Sequence, residues 1–252
     1  MKDVILYAML SDAQLKKIQS LKLKKYRQKY SEFLIEGHKL VLEALHLKTG
    51  LQHVVATRDW ITNHSSLFSA DISLIEALPH QIKKISSLST APEVIAVIKI
   101  PQLLVEIEKN TGWILALDNI NDPGNLGTII RTAEWFGITT ILCSEECADC
   151  YNGKTVQASM GSVLRMQIIY TPLKEKLLEL QLPVYAACLN GESSTKISFP
   201  QAGILIIGSE SHGISEALLQ ISNYIITIPG TGNSESLNAA VACGILLAEI
   251  NR

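Results

Sequence analysis

The chain changes its hydrophobic rhythm at Trp113. From there on, short apolar runs recur at Trp113–Leu117, Thr139–Cys143, Pro183–Leu189, Gly203–Gly208 and Ile225–Ile228. Between and after them, apolar residues return every three or four positions, in Leu126–Phe136, Leu173–Leu180, Ile214–Gln220 and Ser236–Ile250. The first pattern marks strands covered on both faces, and the second marks helices. Their alternation predicts a parallel sheet with helices on both sides. Gln157–Val163 reads as a short helix or a loop.

Before Trp113 the elements are shorter. Leu15, Ile18 and Leu21 recur at helical spacing, and His38–Leu47 carries Leu40, Val41, Ala44 and Leu45 as an apolar stripe. Val54–Ala56 reads as a strand, and Val94–Ile100 as a strand ended by Pro101. Leu67–Leu78 and Gln81–Leu88 carry both signals, so neither is assigned. The expectation is a small α/β domain over 1–101, a connection over 102–112, and a larger α/β domain over 113–252. The 252 residues suit two domains.

Composition narrows the class. With 47% hydrophobic and 18% charged residues, the chain has enough apolar surface to exclude disorder over most of its length. No apolar run approaches the roughly 20 residues of a bilayer span, and Met1–Leu10 has neither the length nor the cleavage site of an export signal. The five cysteines, Cys143, Cys147, Cys150, Cys188 and Cys243, are odd in number, which points to reduced thiols in a cytoplasmic protein without a membrane role. Three of them are closely spaced, but no second C-x-x-C accompanies them, so no metal is expected.

The net charge of −2 hides a division. Residues 1–112 hold 15 Lys and Arg against 11 Asp and Glu, whereas 113–252 hold 7 against 13. Lys16, Lys17, Lys22, Lys24, Lys25, Arg27 and Lys29 fall together with no acid among them, and Tyr26 and Tyr30 are interleaved. A helix there shows a basic face, which neutralises phosphates and gives sequence-independent nucleic-acid affinity. A solvated lysine-rich helix explains the same residues equally well.

Three polar, glycine-rich loops follow strands of the larger region: Asp118–Thr128, Gly208–Ser215 and Ile228–Asn238. Ligands bind at the carboxyl ends of strands in such sheets. One loop of this kind is ordinary turn and cap chemistry; three on one side of one sheet suggest a site. None has the G-x-G-x-x-G of a dinucleotide site or the G-x-x-x-x-G-K-[ST] of a phosphate loop, which counts against a nucleotide-dependent oxidoreductase.

Asn125-Leu126-Gly127-Thr128-Ile129-Ile130-Arg131-Thr132-Ala133 with Phe136-Gly137 resembles the first motif of the SpoU/TrmH family of RNA ribose methyltransferases. Ile207–Ser215 resembles the second motif, and Ile228-Pro229, Gly232 and Ser236–Ala242 resemble the third. Lys154, Ala158–Ser162 and Arg165 form a further family-like stretch, and Phe33–Gly37 with Leu40-Val41 and Glu43–Leu45 resembles the start of the family's N-terminal RNA-binding domain. The resemblance implies a SPOUT-type α/β fold with a C-terminal trefoil knot, S-adenosylmethionine as cofactor, a homodimer, and methylation of a ribose 2′-hydroxyl. Ribosomal RNA is the favoured substrate, with transfer RNA or a non-catalytic RNA-binding role as alternatives.

Carried over by motif, Arg131, Asn125, Glu210 and Asn238 are the implied catalytic residues, with Arg131 favoured as a phosphate clamp and oxyanion stabiliser. Gly208, Glu210, Ile228, Pro229, Ser236 and Leu237 are the implied cofactor residues. Lys22, Lys24, Lys25, Arg27, Lys154 and Arg165 are the RNA-binding candidates. Ser236 also suits a helix cap, and His212 lines its loop. Gly230 stands where the family often has Met, a departure in the cofactor loop. The final helix has two apolar faces, which suits burial between the sheet and a partner subunit.

Overall fold

The computed structural model describes residues 8–48, 50–68, 72–102 and 112–252. Residues 103–111 of the connection expected over 102–112, and most of the N-terminal stretch read for an export signal, lie outside the described residues. The chain forms two compact units. One takes the residues up to Gln102 together with Tyr151–Gln157; the other takes the remainder.

The first unit is a mixed five-stranded sheet. Its elements are β1 (Ala8–Met9), α1 (Asp12–Ser20), α2 (Lys24–Tyr30), β2 (Glu32–Glu36), α3 (His38–Leu47), β3 (Leu51–Ala56), α4 (Arg58–Asn63), β4 (Leu74–Glu76), α5 (Pro79–Ile85) and β5 (Val94–Lys99). The strand order is β1-β4-β3-β5-β2, with β5 antiparallel to both neighbours. Leu15 and Ile18 of α1 and Ile82 and Ile85 of α5 bury against Leu34, Val55, Ile75, Ile95 and Val97 on one face of the sheet. The two ambiguous stretches thus resolve into β4 and α5. Pro79 starts α5 at the position where a missing N–H costs nothing.

β2 carries a buried acid. Glu36 is 4% exposed, and its carboxylate accepts from Ser86 Oγ at 2.5 Å and from the Ser87 amide at 3.0 Å. The Tyr151–Gln157 segment joins this corner. Tyr151 packs on Phe33 with ring centroids 4.5 Å apart, and Gln157 Nε2 donates to the Glu36 carbonyl at 2.9 Å.

The second unit is an all-parallel sheet of six strands. These are β6 (Trp113–Asp118), β7 (Thr140–Cys143), β8 (Gln167–Tyr170), β9 (Val184–Ser193), β10 (Gly203–Gly208) and β11 (Tyr224–Thr227), in the order β11-β9-β10-β6-β7-β8. Its helices are α6 (Pro123–Trp135), α8 (Leu173–Leu180), α9 (Glu216–Leu219) and α10 (Ala239–Ile250); α7 (Gly153–Ser159) lies between β7 and β8 in the chain. Every residue of β6 is buried, as expected for a central strand covered on both sides. Ile114, Ala116, Ile204 and Ile206 face Leu173, Leu177 and Leu218 of α8 and α9. Successive side chains alternate, so Leu115, Leu117, Leu205 and Ile207 face the other way. α10 packs against α6 and β10.

β9 runs on to Ser193, past the expected end at Leu189. Its ladder with β11 jumps from Ala186 opposite Ile225 to Glu192 opposite Ile226, so residues 187–191, which include Leu189–Gly191, are left out of the ladder. Side-chain space enforces the close approach: a Cβ on Gly191 would stand 2.6 Å from the Ile225 carbonyl oxygen.

Candidate active site

Each of the three loops begins where a parallel strand ends. β6 and β10 pair in register up to Asp118 opposite Gly208, so the first and second loops leave the sheet side by side. The third follows β11 and ends at α10.

The first loop turns sharply. Asn119 takes a left-handed φ of 61°, its amide donates to Ser144 Oγ at 3.1 Å, and the Ile120 amide donates to Cys147 Sγ at 3.3 Å. Asp122 then caps α6, accepting from the Asn125 amide at 2.8 Å, and Pro123 supplies the first helical residue. Asn125 is thereby held in the first turn of α6, and Arg131 lies two turns further along.

The second loop is a tight hairpin. Ser209 and Gly213 exchange backbone hydrogen bonds of 3.2 and 2.9 Å. Gly208 permits this, because a Cβ there would lie 2.3 Å from the Gly213 carbonyl. Gly208→Ala is therefore expected to strain the hairpin and lower stability by about 1–3 kcal/mol, read by denaturant unfolding, because relief requires backbone movement.

The loops meet through three side chains. Glu210 Oε1 accepts from Asn125 Nδ2 at 3.0 Å and from Asn238 Nδ2 at 2.6 Å. Asn238 Nδ2 also reaches Asn125 Oδ1 at 2.9 Å, and the Ala239 amide donates to Glu210 Oε1 at 3.3 Å. Asn238 Oδ1 in turn caps α10, accepting from the Ala240 amide at 3.0 Å and the Val241 amide at 3.3 Å. A carboxylate at a helix start is favoured by the helix dipole, and the bond from Asn238 is of the short, ion-assisted kind. Residues 113 positions apart in sequence, Asn125 and Asn238, are thus fixed to one oxygen.

Not every expected residue joins this network. Arg131 is exposed and, among the described residues, has no bonded side-chain partner, so its guanidinium is available to a ligand. Ser236 is not the helix cap; Asn238 is, and Ser236 and Leu237 lie exposed in the loop before it. His212 is exposed in the second loop and shares a 2.8 Å hydrogen bond with Ser211 Oγ. Ile228 is half-buried and Pro229 exposed, directly after β11.

Sequence reasoning missed the Leu189–Gly191 segment. Thr227, the residue before Ile228, donates through Oγ1 to the Leu189 carbonyl at 3.0 Å, and the Leu189 side chain is 68% exposed. The only sequence sign was the Asn190-Gly191 pair, a turn signal directly after the expected strand end at Leu189.

The RNA-binding candidates divide. Lys24, Lys25 and Lys154 are exposed. Arg27 is a correction: it is 3% exposed, and its guanidinium donates to the Leu21 and Lys22 carbonyls at 2.9 Å, closing the turn between α1 and α2. Lys22 is also engaged, donating to the Lys84 and Ser86 carbonyls at the end of α5. Arg165 forms a two-pronged ion pair with Glu134 and holds that carboxyl below the usual range.

The cysteines are structural. Cys143, Cys147, Cys150 and Cys243 are buried and unbridged. The Cys147 thiol is lowered to about 7 by hydrogen bonding to Cys143 and to the Ile120 amide, and burial pushes Cys243 up to about 12. Among the described residues no group of three His, Cys, Asp or Glu is arranged to hold a metal ion, and no helix is long and apolar enough to cross a membrane.

Residues 112–248 match the model of the SpoU rRNA methylase family, and residues 12–96 match that of the MRM3-like substrate-binding domain. The chain belongs to the SpoU family. Over 91% of its length it is 32% identical to the 23S rRNA (guanosine(2553)-2′-O)-methyltransferase of Bacillus subtilis, covering 92% of that protein. It superposes on an AdoMet-bound rRNA methyltransferase from Sinorhizobium meliloti with a TM-score of 0.84 and 29% identity, over 96% of this chain and 95% of that one. A TrmH-family protein from Porphyromonas gingivalis gives a TM-score of 0.86 and 36% identity over 96% and 98%. Within the SpoU family, the Asn125–Glu210–Asn238 cluster is therefore where this chain's three motifs converge.

Proposed function

We infer that this SpoU protein transfers a methyl group from S-adenosylmethionine to a ribose 2′-hydroxyl of ribosomal RNA. The observation that carries the reading is the convergence of three motif loops on Glu210 beside an unengaged Arg131.

The cofactor loops fit the group. Gly230 and Gly232 have open space where a side chain would stand, Leu237 is exposed, and Ile228-Pro229 and Gly208–Gly213 offer backbone groups on either side. At Gly230, where the resemblance leads to an expectation of Met, that open space leaves room for a ligand. Ile228, Pro229, Ser236 and Leu237, with Leu189–Gly191, would hold the cofactor, and Glu210 would lock the second loop to the third. Bound there, S-adenosylmethionine supplies an electrophilic methyl on a sulfonium.

The rest is positioning. Arg131 holds the phosphate beside the target ribose and stabilises charge developing on the 2′-oxygen. A free guanidinium is too weak a base to remove the proton itself, so the hydroxyl proton passes to solvent water. Asn125 and Asn238 act by fixing the loops through Glu210. Calorimetry tests the cofactor step: the reading expects micromolar binding of S-adenosylmethionine, and no binding at millimolar ligand would contradict it.

The first unit binds the RNA. On α2, Tyr26 and Tyr30 stack 6.2 Å apart, with Lys25 Nζ 4.9 Å above Tyr26 and Lys29 Nζ 5.3 Å above Tyr30. A basic, aromatic face of this kind suits single-stranded or looped RNA. Lys24→Ala with Lys25→Ala is expected to weaken RNA binding and to flatten the slope of log affinity against log salt by about 1.5–2, measured by filter binding at several salt concentrations.

The active form is a homodimer. α10 is apolar at every position but Glu249, and it packs beside α6 with Gly244 against Thr132. Trp135 is 84% exposed and Val241 51% exposed. A partner copy covers this face, and Val241→Asp is expected to shift sedimentation from dimer to monomer. The reading extends to a trefoil knot, supported by β11 lying at the sheet edge while α10 returns to α6 and β10. Unbridged thiols suit the reducing cytoplasm.

A further inference from the structure

The second loop has an anchor outside the motif network. β6 ends at Asp118, which is 8% exposed. Burying a carboxylate is costly unless it is bonded. Asp118 Oδ2 accepts from the Ser215 amide at 2.7 Å, a length typical of an ion-assisted bond. Ser215 closes the second loop and stands at the start of α9, where no side chain caps the helix. The bond therefore ties the far end of the second loop to the strand that launches the first.

The near end is already fixed. Gly208 is opposite Asp118 in the sheet, and Ser209 is bonded to Gly213. Glu210 projects from between these two anchors to meet Asn125 and Asn238. Meanwhile Asn119, in its left-handed turn and bonded to Ser144, carries the first loop away from the carboxylate. The Asp118 side chain is thus left to the second loop.

We propose that Asp118 is a positioning residue for methyl transfer: by holding Ser215 it sets the second loop so that Glu210 reaches both asparagines. This rests on the cofactor reading above. Asp118 is not bonded to Asn125, Glu210 or Asn238, and it acts through the loop backbone at Ser215.

Asp118→Asn and Asp118→Ala separate the possibilities. The amide oxygen of Asn accepts the same N–H bond, and Ala accepts none. The expected result for Ala is a rise of about tenfold or more in the Kd for S-adenosylmethionine and a fall of about tenfold or more in kcat, the size of losing one hydrogen bond to a charged group. KM for RNA should stay within about twofold, and Asn should restore both quantities to within about threefold of wild type. Ser215→Pro removes the donor instead; its φ of −61° suits proline, and the same loss is expected. If Asp118→Ala does not fold, Ser215→Pro decides by the same readings. Unchanged cofactor affinity and kcat in the folded Ala or Pro variant would overturn the inference. So would an Asn variant as impaired as Ala. A wild-type protein that binds no S-adenosylmethionine would instead overturn the cofactor reading on which this one rests.

Discussion

Arg131→Ala is expected to lower kcat for methyl transfer about 10²–10³-fold, while the Kd for S-adenosylmethionine stays within about twofold. That is the usual cost of removing one donor aimed at developing charge. Arg131 sits on α6, not in the second or third loop that would hold the cofactor, and no side-chain partner among the described residues ties it down. Its loss therefore leaves cofactor binding intact and strikes the step in which the 2′-oxygen becomes charged. Arg131→Lys keeps the charge but loses the planar fork that grips a phosphate through two bonds, so only partial recovery is expected. Single-turnover kinetics with saturating cofactor reads the chemical step directly. A variant with wild-type kcat would remove Arg131 from the reaction.

Glu210→Ala should have the next largest effect, and of a different kind. Glu210 Oε1 is shared by Asn125, Asn238 and the Ala239 amide. Without it, three donors from two loops lose their common acceptor, and the second loop is no longer fastened to the third. Cofactor affinity and kcat should therefore fall together, each by about tenfold to a hundredfold. Glu210→Gln should recover part of both, since its amide oxygen accepts the same bonds without the charge. This pattern contrasts with Arg131, where kcat falls alone. Calorimetry and steady-state kinetics on the same preparations distinguish the two.

The parallel unit was legible because its central strands are buried on both faces. Trp113–Leu117 and Gly203–Gly208 read as unbroken apolar runs, and the helices between them kept their period. The site was legible because its loops need specific residue types: Asp122 and Pro123 to begin α6, Gly208 to admit Gly213, and Asn238 to cap α10. The resemblance names Gly208 and Asn238 but not Asp122 or Pro123, and the sequence offers Ser236 rather than Asn238 as the cap of α10.

Elements that depend on distant partners were hidden. β2 has acids at both ends, and Glu36 is tolerable inside only because Ser86 and Ser87 satisfy it from fifty residues away. β8 is a four-residue edge strand beginning at Gln167, and its short polar start gives no strand signal. Arg27 and Lys22 looked like surface cations because sequence shows charge and not direction; both turn inward to backbone carbonyls at the ends of α1 and α5. Tyr151–Gln157 belongs with the first unit through the packing of Tyr151 on Phe33 and the Gln157–Glu36 hydrogen bond, which no local pattern encodes.

The most direct test of the account is the chemical identity of the product. Protein is incubated with methyl-labelled S-adenosylmethionine and unmodified ribosomal RNA, and the RNA is then hydrolysed with alkali. A 2′-O-methyl group blocks cleavage of its own phosphodiester, so the account predicts label in an alkali-resistant dinucleotide, absent with Arg131→Ala. Label released as an ordinary mononucleotide would place the methyl on a base and contradict the central claim.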